Sequence, residues 1–159
     1  MLSLFKISKV TDQAKAEKRI LLIDDNEDDC LLIRKAFERA GLSYRIQSVR
    51  SGVDGIAYLS GGPPYEDRKK YPLPVLVLLD IRMPTIDGFE VLRWIRKQPA
   101  LAKLCVVMLT SSDEIPDVNL SHQLGASAFL VKPLDFWNAG ELSRSLDLVL
   151  AKAGEASNS

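Results

Sequence analysis

Acidic, hydroxyl and basic side chains follow the apolar runs of this 159-residue chain in a regular way. Asp24-Asp25 and Asp80 each come directly after a short apolar run, while Thr110-Ser111 and Lys132-Pro133 follow two later runs. Carboxylates that lie close together repel one another and require a cation, and a set of oxygen ligands suits Mg²⁺ or Mn²⁺. The pattern therefore predicts a metal site, provided that the runs bring these residues together.

A carboxylate beside such a metal is able to attack phosphorus as a nucleophile. The metal and an ammonium group would neutralise the phosphoryl oxygens, and a hydroxyl group would hydrogen-bond to one of them. The set therefore predicts an aspartyl phosphate. Each residue also has a purely structural explanation, since acids at 24–29 and hydroxyls at Thr110 and Ser111 suit helix starts, and Lys132 suits a solvated strand end.

The elements that would position these residues alternate between strand and helix five times along the chain. Short apolar runs predict strands at 20–23, 44–49, 75–79, 104–109 and 128–131. Amphipathic spacing predicts helices at 26–40, 53–59, 88–98, 112–124 and 136–152. This alternation is typical of an α/β fold with a parallel sheet and helices on both faces. Ligands bind such sheets at the carboxyl ends of the strands, where the polar residues lie.

The chain is long enough for one domain. We predict a folded domain over residues 19–152, an extension at 1–18 and a flexible tail at 153–159. Four prolines, two glycines and a cluster of charges predict a long exposed loop between residues 61 and 74.

The charge balance excludes some classes of function. Lysine and arginine number 21, as do aspartate and glutamate, so the formal net charge is zero. We therefore expect no direct binding to nucleic acid or to an anionic membrane. The chain lacks both a signal peptide and an apolar run near the roughly 18 residues of a membrane span. Its two cysteines, Cys30 and Cys105, match no metal-binding spacing, so the reducing cytoplasm is the expected compartment.

Six short segments resemble the signature motifs of response-regulator receiver domains. They are Ile20-Leu-Leu-Ile-Asp-Asp-Asn26, Leu78-Leu-Asp-Ile-Arg-Met-Pro84, Asp87-Gly88, Met108-Leu-Thr-Ser111, Gly125-Ala126 and Val131-Lys-Pro133. The resemblance covers residues 18–150 and implies that the predicted domain is a receiver. It further implies a flavodoxin-like three-layer (βα)5 sandwich, with parallel strands in the order 2-1-3-4-5.

The resemblance implies a role for each residue at the strand ends. Asp80 would be the phosphoacceptor. The metal would be bound by Asp80, by Asp25 and by the backbone carbonyl of Arg82, and Asp24 would act on it through water. Phe129 stands where the family more often has a tyrosine, and its ring would take part in switching. Phosphoryl binding or switching would be the role of Thr110, Ser111 and Lys132. The peptide bond before Pro133 would be cis.

The function implied by the resemblance is a single-domain response regulator. It would accept a phosphoryl group from a sensor histidine kinase in a reaction that needs Mg²⁺ or Mn²⁺, and then act through contacts with another protein. The loop at 61–74 and the segment Gly88–Arg96 resemble receivers that serve phytochrome-type kinases. The chain ends soon after the fifth predicted helix, which implies no output domain for DNA binding or enzymatic activity.

Two alternatives remain open. A phosphatase of the haloacid-dehalogenase type also uses an aspartyl nucleophile, but it requires a second acid where this chain has Arg82. A receiver fold could also serve as a scaffold that works without phosphorylation, although the presence of the complete set of pocket residues would then have no explanation.

The last predicted helix carries an apolar stripe of Leu142, Leu146, Val149 and Leu150, which is enough to cover the sheet. Leu148 falls off that stripe. Receivers of similar type commonly pair through this region, so we predict a homodimer formed by the last helix together with the fourth helix and the fifth strand.

Overall fold

The structure, a computed structural model, describes residues 18–111, 115–132 and 139–158. Its strands are β1 (Arg19–Ile23), β2 (Arg45–Val49), β3 (Leu76–Asp80), β4 (Cys105–Thr110) and β5 (Ala128–Val131). Its helices are α1 (Glu27–Arg39), α2 (Gly52–Ser60), α3 (Gly88–Lys97), α4 (Ile115–Gln123) and α5 (Ala139–Asn158). Every predicted element is present. None of the helices in the described ranges is long and apolar enough to cross a membrane.

The five strands form one parallel sheet in the order β2-β1-β3-β4-β5. This order confirms the predicted flavodoxin-like topology. In the central pair, Ile23 of β1 lies opposite Leu79 of β3. The next residues along each chain segment, Asp24 and Asp80, therefore lie at the point where the strand order changes direction, which is where such sheets bind ligands.

Both faces of the central strands are buried, because helices pack on each side and successive side chains point to opposite faces. One core contains the apolar side chains of α1 and α5, among them Ile33, Phe37, Leu142 and Leu146. The other core contains those of α2 and α3, among them Tyr58, Val91, Leu92 and Ile95. The apolar stripes predicted for α1, α3 and α5 are thus the faces that bury against the sheet.

Three of the helices begin with a side-chain cap shortly after a strand ends. The side-chain oxygen of Asn26 accepts a hydrogen bond from the N–H of Asp29 at 3.1 Å, which starts α1. Ser51 and Asp87 start α2 and α3 in the same way. Each cap satisfies a backbone N–H that has no partner within its helix, so local sequence fixes the turns at the carboxyl edge of the sheet.

The segment 61–74 packs more closely than an exposed loop. The rings of Tyr65 and Tyr71 lie 5.0 Å apart between centroids, and both contact Tyr58 of α2. The guanidinium group of Arg68 donates to the carbonyl of Tyr58 at 2.8 Å. The exposed-loop prediction was wrong for these side chains, because their partners lie in another element and local composition does not show such contacts.

Helix α5 continues past the predicted end at 152, as far as Asn158. Alanine and glutamate, which favour helix, surround Gly154, and one glycine costs a helix only about 1 kcal/mol relative to alanine. The predictions for a cis proline at Pro133 and for a helix start at 136 lie outside the described residues.

Candidate functional site

Three aspartates meet at the carboxyl edge of the sheet, as their positions at the ends of β1 and β3 predicted. Asp24, Asp25 and Asp80 each offer a carboxylate oxygen, and these atoms lie within 4.8 Å of one another. Asp24 is completely buried and Asp80 is 6% exposed, whereas Asp25 is exposed. The group therefore has a buried floor and one side open to solvent.

The backbone holds Asp24 in place at this edge. Its N–H donates to the carbonyl of Val49 at 3.1 Å, and its Oδ1 accepts from the N–H of Asn26 at 3.0 Å. The second carboxylate oxygen, Oδ2, is buried and accepts no hydrogen bond of good geometry from the part of the chain that the structure describes. A buried oxygen in that condition is suited to a cation.

Lys132 supplies one cation to the cluster. Its Nζ lies 2.8 Å from Asp24 Oδ2, 2.9 Å from Asp29 Oδ2 and 3.1 Å from Asp80 Oδ1. The side chain is 9% exposed, and the N–H of the same residue donates to the carbonyl of Thr110 at 2.7 Å. The end of β5 is thereby fixed against the end of β4, with the ammonium group among the carboxylates.

The electrostatics of the site follow from this burial. Burial raises the pKa of Asp80 from 3.8 to about 6, since Lys132 only partly opposes it and Asp24 and Asp25 add to it. Burial would lower the pKa of Lys132, but the carboxylates of Asp24 and Asp29, with that of Asp80, raise it above its usual value. The site therefore pairs a carboxylate that ionises with difficulty with an ammonium group that stays charged.

The donor set fits a hard divalent cation. Three carboxylates offer oxygens within 4.8 Å of one another, the single ammonium group of Lys132 neutralises only part of their charge, and the exposed side at Asp25 is open to solvent. Mg²⁺ prefers oxygen ligands and usually retains several waters. A second cation would also oppose the burial, and the lesser repulsion from Asp24 and Asp25, that raise the pKa of Asp80.

Arg82 connects the segment after β3 to α4. Its guanidinium Nη2 donates to Asp117 Oδ2 at 2.7 Å, and the arginine side chain is 67% exposed. The contact links the region beside Asp80 to the first turn of α4. The predicted use of the Arg82 backbone carbonyl as a metal ligand stays a prediction.

The hydroxyl and aromatic candidates lie on β4 and β5. Thr110 is buried at the end of β4, and Ser111 beside it is exposed. Phe129 is half-buried in β5, and its ring meets that of His122 edge-on, with 6.3 Å between the centroids. The roles predicted for Thr110, Ser111 and Phe129 stay predictions.

Asp29 is the site residue that sequence reasoning missed. The acids at 24–29 were explained by the helix start, and the Asp29–Lys132 contact joins residues 103 positions apart. The available signal was its place in the first turn of α1, three residues after the Asn26 cap, which keeps it near the end of β1.

A parallel sheet of this order, with an acidic cluster and a lysine at its carboxyl edge, defines the receiver class of domain. Residues 20–142 match the response regulator receiver domain family, and the chain belongs to that family.

Individual relatives agree with this membership. The chain is 38% identical over 117 residues to the probable methanogenesis regulatory protein FilR2 of Methanothrix harundinacea, covering 74% of this chain and 73% of the relative. It is 32% identical over 123 residues to the response regulator Rcp1 of Synechocystis, covering 77% and 82%.

Solved structures give the same result. The Mn²⁺-bound form of Rcp1 superposes with a TM-score of 0.66 at 31% identity, over 84% of this chain and 90% of that one. The bacteriophytochrome response regulator AtBRR superposes with a TM-score of 0.72 at 34% identity, over 84% and 92%. The protein is therefore a receiver-domain response regulator.

Proposed function

We propose that the chain accepts a phosphoryl group on Asp80 from the phosphohistidine of a sensor histidine kinase, with Mg²⁺ or Mn²⁺ bound. The observation that carries the proposal is the contact of Lys132 Nζ with Asp80 Oδ1 at 3.1 Å beside the three-aspartate cluster. An ammonium group and a divalent cation on one carboxylate are what a phosphoryl acceptor needs to neutralise the incoming charge.

In the transfer, a carboxylate oxygen of Asp80 attacks the phosphorus, so a P–O bond forms as the P–N bond to the kinase histidine breaks. The released imidazole keeps the electron pair of that bond and takes up a proton. Held by Asp25, Asp80 and the backbone carbonyl of Arg82, and by Asp24 through water, Mg²⁺ would supply charge neutralisation to the phosphoryl oxygens. Lys132 would donate to one of these oxygens, and Thr110 would donate its hydroxyl to another, with Ser111 beside it.

The signal would then pass to another protein through the surface formed by α4, β5 and α5. Phe129 lies in β5, which pairs with β4 and contributes to that surface, and we propose that its ring repacks when Thr110 engages the phosphoryl group. We further propose that the same surface forms a homodimer in the cytoplasm, and that the response uses no direct contact with nucleic acid or membrane.

Acetyl phosphate and a purified histidine kinase test the proposal. With Mg²⁺ present, the wild-type protein is expected to gain one phosphoryl group, which intact mass spectrometry measures. EDTA or the Asp80→Asn substitution is expected to abolish this gain. Asp28→Asn removes an exposed carboxylate from the first turn of α1 and is expected to behave as wild type. An unmodified wild-type Asp80 under both donors would favour the scaffold, and steady turnover of phosphomonoesters would favour the phosphatase.

The name of one similar structure suggests the kind of kinase. AtBRR is a bacteriophytochrome response regulator, so we propose a phytochrome-type kinase as the donor. Phosphotransfer against a panel of purified kinases tests this, because the correct kinase transfers fastest at short times. Equal slow transfer from every kinase would contradict the assignment without affecting the role of Asp80.

A further inference from the structure

Lys132 has one carboxylate partner that does not belong to the acidic cluster. Among the described residues three carboxylates pair with its ammonium group, and of these Asp24 and Asp80 are members of that cluster and Asp29 is not. The contact with Asp29 also has hydrogen-bond geometry, since Nζ donates to Oδ2 at 2.9 Å. The lysine thus has an anchor that a metal ion in the cluster would not share.

Asp29 is itself held by the turn that carries the cluster. Its N–H donates to the side chain of Asn26 at 3.1 Å, and the N–H of Asn26 donates to Asp24 Oδ1 at 3.0 Å. A carboxylate in the first turn of a helix is also favoured by the helix dipole. Asp29 is therefore a firm support for a long and flexible side chain.

Such a support matters most when the metal is bound. A divalent cation held by the cluster would attract the carboxylate oxygens of Asp24 and Asp80 and would repel the ammonium group. An unsupported lysine would then lose its position and would have to be ordered again to hold a ligand. An ammonium group has three donors, so a bond to Asp29 leaves two for the phosphoryl oxygens.

We propose that Asp29 is a positioning residue that keeps the Lys132 ammonium group beside Asp80 while a metal occupies the cluster. The ammonium group is then in place when the phosphoryl group arrives. This inference rests on the proposed function of Asp80 as the phosphoacceptor.

The sign of the effect separates positioning from simple electrostatics. Removing a negative charge near the pocket would by itself strengthen the binding of an anion. Losing the position of Lys132 would weaken it. Asp28→Asn is the matched control, because Asp28 is the exposed neighbour in the same turn and forms no ion pair within the described part of the chain.

Beryllofluoride, which mimics a phosphoryl group on aspartate, is the probe. Its affinity is measured by ¹⁹F NMR at saturating Mg²⁺, and Mg²⁺ binding alone is measured by calorimetry. Asp29→Asn is expected to bind beryllofluoride about tenfold more weakly, as befits one charge-assisted hydrogen bond. Asp28→Asn is expected to bind it as tightly as wild type or more tightly, and the two variants are expected to agree in Mg²⁺ affinity within about threefold.

A second comparison tests whether the effect runs through the lysine. In a Lys132→Ala background, adding Asp29→Asn is expected to cause no further loss of beryllofluoride binding. A further loss of about tenfold would overturn the proposal, as would equal affinities of Asp29→Asn and Asp28→Asn.

One outcome would concern the proposed function rather than Asp29. Failure of the wild type to bind beryllofluoride would overturn the role of Asp80 as the phosphoacceptor.

A second variant is used if circular dichroism shows that Asp29→Asn does not fold. Asp29→Glu then replaces it, since it keeps the charge and moves the carboxylate by one methylene group. That variant is expected to bind at least about threefold more weakly than wild type, and wild-type affinity would overturn the proposal.

Discussion

The charge of Asp80 depends strongly on its surroundings. Burial raises its pKa from 3.8 to about 6 in the folded protein, so the folded state holds this proton more tightly than the unfolded chain does. The stabilisation is complete below the unfolded pKa and is lost as the pH rises through the folded one. Above that range the metal-free protein contains a destabilising buried charge.

Asp80→Asn removes this charge and keeps the shape of the side chain. At 1.36 kcal/mol per pKa unit, we expect it to raise the free energy of unfolding by about 1–3 kcal/mol at about pH 7.5, and by much less at about pH 4.5. Urea titrations in EDTA at both pH values measure this. The same change at both values, or a loss of stability at the higher one, would contradict the pKa argument. Asp28→Asn, which removes an exposed carboxylate from the first turn of α1, serves as the control.

Lys132 stabilises the metal-free site and competes with the metal. Lys132→Ala leaves Asp24 and Asp80 buried without their cation, which should destabilise the metal-free protein by about 3–5 kcal/mol. Adding Mg²⁺ should raise the melting temperature of this variant by more than it raises that of the wild type. The variant should also lose the conformational switching that follows phosphorylation. Thermal unfolding with and without Mg²⁺ tests this, with the exposed Lys97→Ala as control. Equal Mg²⁺ gains in wild type and Lys132→Ala would refute it.

At the scale of the elements, the pattern of apolar residues in the sequence predicted the strands and how they are buried. The runs of β1, β3 and β4 are apolar on both faces, so their burial and their parallel pairing were readable from the sequence. The carboxyl-edge positions of Asp24, Asp80 and Thr110 then followed from topology. The Asp29–Lys132 and Arg68–Tyr58 contacts did not, because Asp29 and Lys132 are 103 positions apart and the guanidinium group of Arg68 binds a backbone carbonyl in another segment.

The approach of α3 to β3 sets the position of Asp80. A Cβ on Gly88, the first residue of α3, would lie 2.3 Å from the carbonyl oxygen of Asp80 and 2.9 Å from the Cα of Ile81. Both are backbone atoms, so neither is able to turn aside as a flexible side chain would. Glycine is therefore required at this position for close contact between the helix and the strand.

Gly88→Ala should accordingly destabilise the protein by about 1–3 kcal/mol and slow phosphorylation by acetyl phosphate, because β3 must shift to admit the methyl group. Gly62→Ala is the matched control, since its Cβ would meet nothing closer than 3.6 Å. Urea unfolding and the rate of phosphorylation measure the two effects. If both variants behaved alike, close packing at α3 would not be what places Asp80.

At the scale of the whole molecule, one edge of the sheet has an apolar surface beyond its own core. Strand β5 is the edge strand, and a groove of about 260 Å³ lies between it and α5, lined in part by Phe129, Leu148 and Val149. Leu148 is 64% exposed. Scattered exposed leucines are ordinary, but one beside an apolar groove at a sheet edge is suited to an interface.

If this surface forms the proposed homodimer, Leu148→Arg should shift the protein towards monomer by at least tenfold in dissociation constant, about 1.4 kcal/mol. Light scattering and analytical ultracentrifugation over a concentration series, with and without beryllofluoride, measure the change. Leu73→Arg introduces the same charge at a leucine that is 47% exposed in the segment before β3, away from α5, and should leave the dimer intact. Phosphoryl mimicry should tighten or reorient the wild-type dimer, because the end of β4 at Thr110 pairs with β5, which carries Phe129 into this surface. A wild-type monomer at every micromolar concentration in both states would remove the dimer, and equal effects of the two variants would place it on another surface.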